Sequence, residues 1–190
     1  MDDSLHNQDG DPLVDRIRRG DREAYKHLFR TYCEDLCRFA LNYVEHLRVA
    51  EDLVQDVFFN LWDERHALEV EQSLKAYLYG MVRHRAITHL RKKQVRSKWM
   101  RNGNLQDLSS DTLADRSEDG LEYKEQKQGA KRAIEALSER QYQVFVLSRR
   151  YELTYSEIAV ALDISIRTVE THMSRALKFL RDRLELTSKD

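Results

Sequence analysis

The sequence predicts an all-α protein made of two small helical domains joined by a flexible linker. The second is a helix-turn-helix of the wingless, winged-helix-like four-helix type. Three observations lead there. Apolar residues recur every three or four positions along nearly the whole chain, and no stretch alternates at period two. Pro12 is the single proline among 190 residues, so almost nothing interrupts helices along the body of the chain. The periodicity collapses once, at 102–120 (NGNLQDLSSDTLADRSEDG), where turn and polar residues crowd and five acids face Arg116 alone. The predicted parts are therefore a domain at 1–101, an acidic linker at 102–120 and a domain at 121–190. A fully extended linker of about 20 residues at ~3.3 Å each spans ~65 Å. That is nearly two turns of duplex DNA at ~34 Å per turn.

In the first domain, Asp21 is placed to cap a helix whose stripe comprises Tyr25, Leu28, Phe29, Tyr32, Leu36, Phe39, Ala40 and Tyr43. A second helix, about Arg48 to Glu64, gathers Ala50, Leu53, Val54, Val57, Phe58, Leu61 and Trp62 on one face. It turns Glu51, Asp52, Gln55, Asp56 and Asn60 the other way. A third starts after Ser73 and carries Leu74, Tyr77, Leu78, Met81 and Val82 into a basic run. Ideal winding puts Arg85 inside the apolar stripe, where it is expected to snorkel at the edge. Three such stripes bury one another as a bundle.

The second domain is punctuated more sharply. Ser138 with Gln141, and Thr154 with Glu157, fit capping boxes. The helix 154–162 turns Ile158, Ala159 and Leu162 inward and ends at a tight Asp163-Ile164-Ser165 turn, with Ser165 as the cap of the last helix. That helix is predicted to bury Ile166, Val169, Met173, Ala176, Leu177, Leu180 and Leu184.

Composition excludes several classes of function. Hydrophobic residues at 41% are too many for a disordered chain, and 34% charged residues are too many for one large core. No apolar run approaches the roughly 18 residues of a membrane span, and the acidic start MDDSLHNQDGD is unlike a signal peptide; a cytoplasmic location is expected. Cys33 and Cys37 lie four apart near His27 but lack a second ligand pair, and read as two small buried thiols rather than a metal site. There is no Gly-rich phosphate loop and no nucleophile motif, so no catalysis, cofactor, metal or small-molecule substrate is expected.

The net charge of −1 conceals a strong segregation. Arg83 to Arg101 holds eight Lys/Arg and no acid, whereas Glu45 to Glu64 holds six acids and one Arg. Two surfaces of opposite sign in one domain imply two different partners, one of them polyanionic. The basic run shares its helix with Tyr77 and Tyr79 and leads to Trp99; cations beside aromatic rings suit single-stranded nucleic acid. In the second domain, the face of the last helix opposite its apolar stripe offers Arg167, Thr168, Glu170, Thr171, Ser174, Arg175 and Lys178, with His172 at the flank. A helix-turn-helix needs that division, one side locked to the preceding helix and the other entering the major groove. Arg reads guanine bidentately, while Ser and Thr hydroxyls and Lys suit phosphates.

Four segments, in order, resemble a known family. AEDLVQDVFFNLW (50–62) is similar to the helix by which bacterial sigma factors dock on RNA polymerase. SLKAYLYGMVRHRAITHLRKK (73–93) resembles the adjoining helix that melts and reads the minus-10 element. ALSERQYQVFVLSRRYELTYSEIAVALDISIRTVETHMSRALKFL (136–180) resembles the minus-35-reading domain, and GDREAYKHLFRTY (20–32) completes the match. A chain with only these two domains resembles the extracytoplasmic-function group of the sigma-70 family. The resemblance implies binding to core RNA polymerase through Asp52, Gln55, Asp56 and Asn60. It implies contact with the melted minus-10 element through Tyr79, Arg83, His84, Ile87, Arg91 and Lys92, and with the double-stranded minus-35 element through the outward residues of the last helix. It also implies that Asp63–Gln72 with the start of the next helix captures an unstacked base, that the linker lies near the RNA exit path, and that an anti-sigma factor restrains the protein. His84 stands where Asn is usual and Thr88 where Asp is usual, so the resemblance carries the role of this helix but not its base preference. A second reading, a stand-alone helix-turn-helix regulator with an N-terminal dimerisation or sensing domain, explains 138–184 equally well but leaves the acidic helix beside the basic one without a purpose.

Overall fold

The computed structural model describes residues 12–70, 73–100 and 132–187, apart from the side chains of 94–100 and 185–187. The predicted linker at 102–120 and the Trp99 side chain lie outside the described residues. The chain divides into two compact units, 1–112 and 113–190. Every regular element among the described residues is helical.

The first unit begins with α1 (Pro12–Arg18), whose Val14 and Ile17 are buried; Pro12 at the first helical position suits a missing N–H and a fixed φ. The helix closes in a Schellman turn. The Gly20 N–H reaches the Ile17 carbonyl at 2.8 Å and the Asp21 N–H reaches the Arg16 carbonyl at 3.0 Å. This geometry puts Gly20 at φ +81°, which glycine adopts without a steric cost. Asp21 ends that turn and caps α2 (Arg22–Ala40), accepting from the Glu23 and Ala24 N–H groups at 2.9 and 3.1 Å. α3 (Leu47–Asp63) follows without a side-chain cap, then a 3-10 turn (Arg65–Ala67), then α4 (Leu74–Met100), where Ser73 Oγ accepts from the Ala76 N–H at 3.2 Å.

The three long helices bury most of the predicted stripes against one another: Leu28, Leu36 and Phe39 of α2, Val54, Val57, Phe58 and Leu61 of α3, and Leu74, Leu78 and Val82 of α4, where Tyr77 and Met81 are only half-buried and Ala86, outside the predicted stripe, is buried. Phe29 is the exception at the edge, exposed although its ring packs edge-on against Phe58 at 4.9 Å. Arg85 gains a partner rather than simply snorkelling: its Nη1 lies 3.8 Å from Asp56 Oδ2 across the α3–α4 seam.

The cysteines are half-buried, not fully buried as expected. Burial pushes the Cys37 thiol up to about 12, with Cys33 and the carboxylates of Glu51 and Glu34 adding in the same direction. Cys33 moves the same way, again chiefly by burial. Both are therefore neutral thiols and poor nucleophiles at physiological pH. A pKa raised in the folded state favours the protonated fold, so this contribution is complete below the usual thiol range and is lost as pH climbs toward about 12. Alkylation of the native protein at pH 8 is expected to be much slower than that of the unfolded chain. Cys37→Ala should blunt the alkaline loss of stability; equal native and unfolded alkylation rates would contradict this.

The second unit holds a helical turn at 132–135, then α5 (Glu139–Arg149), α6 (Tyr155–Leu162) and α7 (Ile166–Thr187). Both predicted capping boxes form. The Ser138 N–H donates to Gln141 Oε1 at 3.2 Å, and Thr154 N–H to Glu157 Oε2 at 2.8 Å. Ala133 and Leu137 pack on Ala176 and Leu180, flanked by Ile134, Tyr142, Phe145 and Phe179. Val144, Leu147, Ile158, Leu162, Val169 and Met173 are buried as well. The buried stripe of α7 is narrower than predicted. Ile166, Leu177 and Leu184 are 47%, 36% and 42% exposed, because they lie on the flank beyond the reach of α5 and α6.

Two non-glycine residues here adopt left-handed backbone, Glu152 and Asp163, each at φ 54°. Asp tolerates that region through local hydrogen bonding, whereas an exposed Glu carries the steric cost. Glu152→Gly should stabilise this unit by about 0.5–1 kcal/mol, and Asp163→Gly by less. Denaturant midpoints check the order, and a loss of stability in Glu152→Gly would contradict it.

Candidate nucleic-acid interface

Three surfaces stand out, two on the first unit and one on the second. On α3, Asp52, Gln55 and Asp56 are exposed and Asn60 is half-buried, as the spacing required. Phe59 lies among them, three or four residues from each of Gln55 and Asp56, and is 67% exposed. Its neighbour Phe58 is in the core, so a 100° step along the helix turns the second ring of the doublet to solvent. Sequence reasoning passed over Phe59; the available signal was an aromatic residue outside the apolar stripe. Asp56 is not wholly free for a partner, because it faces Arg85.

α4 carries the opposite charge. His84 and Arg91 are exposed and Ile87 is half-buried; spaced by three and four, they share one face. Arg83, half-buried, borders that face, and its Nε is buried with no hydrogen-bond partner among the described residues. Lys92 is exposed but falls on the Arg85 flank rather than beside His84 and Arg91. Lys93 is drawn to Glu45 at 3.6 Å. Tyr79 must be withdrawn from the nucleic-acid surface. It is 1% exposed and packs edge-on against Phe39 at 5.0 Å, because 79, 82 and 86 form one helical row facing the core.

The third surface is the outer face of α7. The Asp163 N–H reaches Val160 O at 3.2 Å and Ile164 N–H reaches Ala159 O at 3.0 Å, closing α6 in the same Schellman geometry as α1. Ser165 Oγ then accepts the Thr168 N–H at 3.1 Å and shares a hydrogen bond with the Thr168 hydroxyl at 2.8 Å. Thr168 is thus committed to the cap, and Thr171 donates its hydroxyl back to Arg167 O at 2.8 Å. Arg167, Glu170, Thr171, Ser174, Arg175 and Lys178 are exposed. Among the described residues, Arg167, Arg175 and Lys178 make no ion pair, so three cations face solvent against the one acid Glu170. His172 is half-buried on the flank, with a buried Nδ1 that has no hydrogen-bond partner among the described residues. A tight turn, a capped helix and unpaired outward cations are what a major-groove reader requires.

No group of three or more His, Cys, Asp or Glu among the described residues could hold a metal ion, and no described helix is long and apolar enough to cross a membrane.

Comparison with known proteins accounts for both units. Sigma-70 region 2 matches residues 28–96 and Sigma-70, region 4 matches residues 128–180. The ECF RNA polymerase sigma factor SigX of Bacillus subtilis is 30% identical over 173 residues, covering 88% of this chain and 87% of its own. The chain belongs to the ECF sigma factors. It is a sigma factor of the sigma-70 family that binds core RNA polymerase and directs transcription initiation at promoters. A stand-alone regulator is set aside, because the region 2 match claims the half of the chain which that reading left unexplained. The ECF sigma factor SigK of Mycobacterium ulcerans is 25% identical over 182 residues, 94% of this chain and 95% of its own. The fold is also that of the sigma factor RpoE of Bartonella quintana, solved in complex with the anti-sigma factor NepR (TM-score 0.64, 24% identity, 86% of this chain and 98% of that one). In this sigma factor, region 2 takes in α3 and all but the last residues of α4, and region 4 takes in α5, α6 and α7 up to residue 180.

Proposed function

We propose the following division of labour among the three surfaces. The α3 face formed by Asp52, Gln55, Asp56, Phe59 and Asn60 docks on core polymerase. Polar residues around one exposed aromatic anchor are the usual make-up of a binding hot spot. The α4 face of His84, Ile87 and Arg91, bordered by Arg83 and with Lys92 adding charge from the flank, holds the melted minus-10 strand. The segment after α3 captures an unstacked base. The α7 face of Arg167, Thr171, Ser174, Arg175 and Lys178 reads the minus-35 duplex. An anti-sigma factor restrains the protein, as the NepR complex of the structural neighbour suggests by analogy, and the protein works in the cytoplasm without chemistry of its own.

The observation that carries this reading is the placement of an acidic helix directly beside a basic one in a single bundle. A DNA-binding module alone has no use for the acidic face. The low net charge fits the same picture: the free chain neutralises few phosphates, and polymerase supplies the missing affinity. Permanganate footprinting of a promoter tests the minus-10 assignment. Holoenzyme with the wild-type chain should expose thymines near minus-10, and His84→Ala with Arg91→Ala should suppress that reactivity while minus-35 protection persists. Undiminished melting would place the minus-10 contacts elsewhere.

A further inference from the structure

Two arginines hold the segment that follows α3. Arg18, at the end of α1, donates its Nε–H to the Leu68 carbonyl at 2.8 Å, and its Nη1 is fixed by Asp15 Oδ1 at 3.0 Å. The contact joins residues fifty positions apart, and the Leu68 side chain beneath it is buried. Arg65, inside the 3-10 turn, lies with its guanidinium carbon 4.7 Å from the Trp62 ring centroid and donates Nη1–H to the Trp62 carbonyl at 2.7 Å. Its Nε is buried, 3.6 Å from the point a Cβ on Gly20 would occupy, so the tight α1–α2 corner forms one wall of its slot. Trp62 in turn packs on Tyr25 at 4.8 Å, and the Tyr25 hydroxyl donates to the Phe58 carbonyl at 3.0 Å. The stretch 65–68 is therefore braced from α1 on one side and from the α2–α3 aromatic stack on the other. On the far side of the segment, Ser73 caps α4.

We propose that Arg18 and Arg65 are positioning residues for minus-10 recognition, and that α1 serves as a strut for the base-capturing segment. The inference rests on the reading above that this segment takes up an unstacked base. Extruding a base is unfavourable, and the pocket must offset that with groups already in place. A bare segment between two helices would first have to be ordered by the ligand. Here one charged donor from a separate helix fixes the backbone at Leu68, and a stacked guanidinium fixes the turn at Trp62. Both side chains are engaged within the protein, so they act through the segment and not as its base contacts.

The test uses the full chain assembled with core polymerase. The probe is a single-stranded oligonucleotide recovered from a random pool by the wild-type holoenzyme, compared with copies in which each base in turn is abasic. The wild type should prefer the intact probe at one position. Arg18→Ala and Arg65→Ala should each shrink that preference at least tenfold, with core binding and minus-35 duplex affinity unchanged and the melting temperature lowered by no more than a few degrees. Arg18→Lys, which keeps a donor for Leu68 O, should restore most of it. If the wild type discriminates and both alanine variants match it, the strut is refuted while the base-capturing reading stands. The strut is equally refuted if the variants lose core binding and thermal stability together with discrimination, since their role is then general folding. If the wild type itself shows no preferred position, the base-capturing reading falls and takes the strut with it.

Discussion

Arg175→Ala lowers the affinity of the holoenzyme for its minus-35 element by about 1–3 kcal/mol, roughly 5- to 150-fold. Arg175 is exposed on the outer face of α7, two turns beyond Thr168, and among the described residues it has no ion pair to break on entering the groove. It is also one turn beyond Thr171, whose hydroxyl is turned back to the Arg167 carbonyl, so Arg175 is the longer free donor of the pair. Arg175→Lys separates two roles. A bidentate contact with guanine is lost with lysine, because the ammonium lacks the planar fork, whereas a phosphate contact survives. Base reading therefore predicts that both variants lose discrimination at one position. Phosphate contact predicts uniform weakening in Arg175→Ala alone, with a salt slope reduced by about one. Unchanged promoter use in both variants would remove Arg175 from the groove.

Core polymerase is expected to be released by changes on α3. Phe59→Ala should cost about 2 kcal/mol or more, at least thirtyfold, if the ring is the anchor of the docking face. Asp52→Lys with Gln55→Ala should weaken association further by reversing one charge and removing one polar contact. All three side chains are exposed and none supports the core, so circular dichroism and the melting temperature should stay close to wild type. Asp56 is a poorer choice for this test, since its loss also strips Arg85 of its partner across the seam. Quantitative co-purification with core, or competition against another sigma factor, measures the effect. Retention of the triple variant on core would refute the assignment of this face.

How much of this could be read in advance depended on the kind of signal. Caps were legible because they are local: Asp21, Thr154, Ser165 and Asp163 satisfy or close backbone groups within five residues of themselves, and each does so in the structure. The inward faces of α2 and α3 were legible because burial of one face enforces periodicity, whereas on α4 the buried row also takes Tyr79 and Ala86, which the predicted stripe left out. Periodicity alone does not say whether a neighbour is present, which is why Ile166, Leu177 and Leu184 read as core yet lie open. Tyr79 was misplaced by weighting its nearness to the basic run above its row. Residues 79, 82 and 86 share a face, and 79 lies on the opposite side of α4 from the His84–Arg91 surface. Phe59 was overlooked because it was assigned to neither face of α3: it stood outside the apolar stripe, and only polar residues were counted on the outward side. The Arg18–Leu68 contact depends on how α1 and the 3-10 turn meet, and a pairing across fifty residues leaves no trace in local pattern; the Arg65–Trp62 contact spans three residues but needs the turn that brings Arg65 over the ring.

The central claim is that one chain joins polymerase to two promoter elements through three separate faces. Run-off transcription with purified core on templates recovered by crosslinking the chain in its host tests this most directly. Full-length transcript should require the chain and both elements, and should fall when the spacing between them is changed by half a helical turn. Tight, dimeric binding to the same DNA without core, and no transcript with it, would contradict the account.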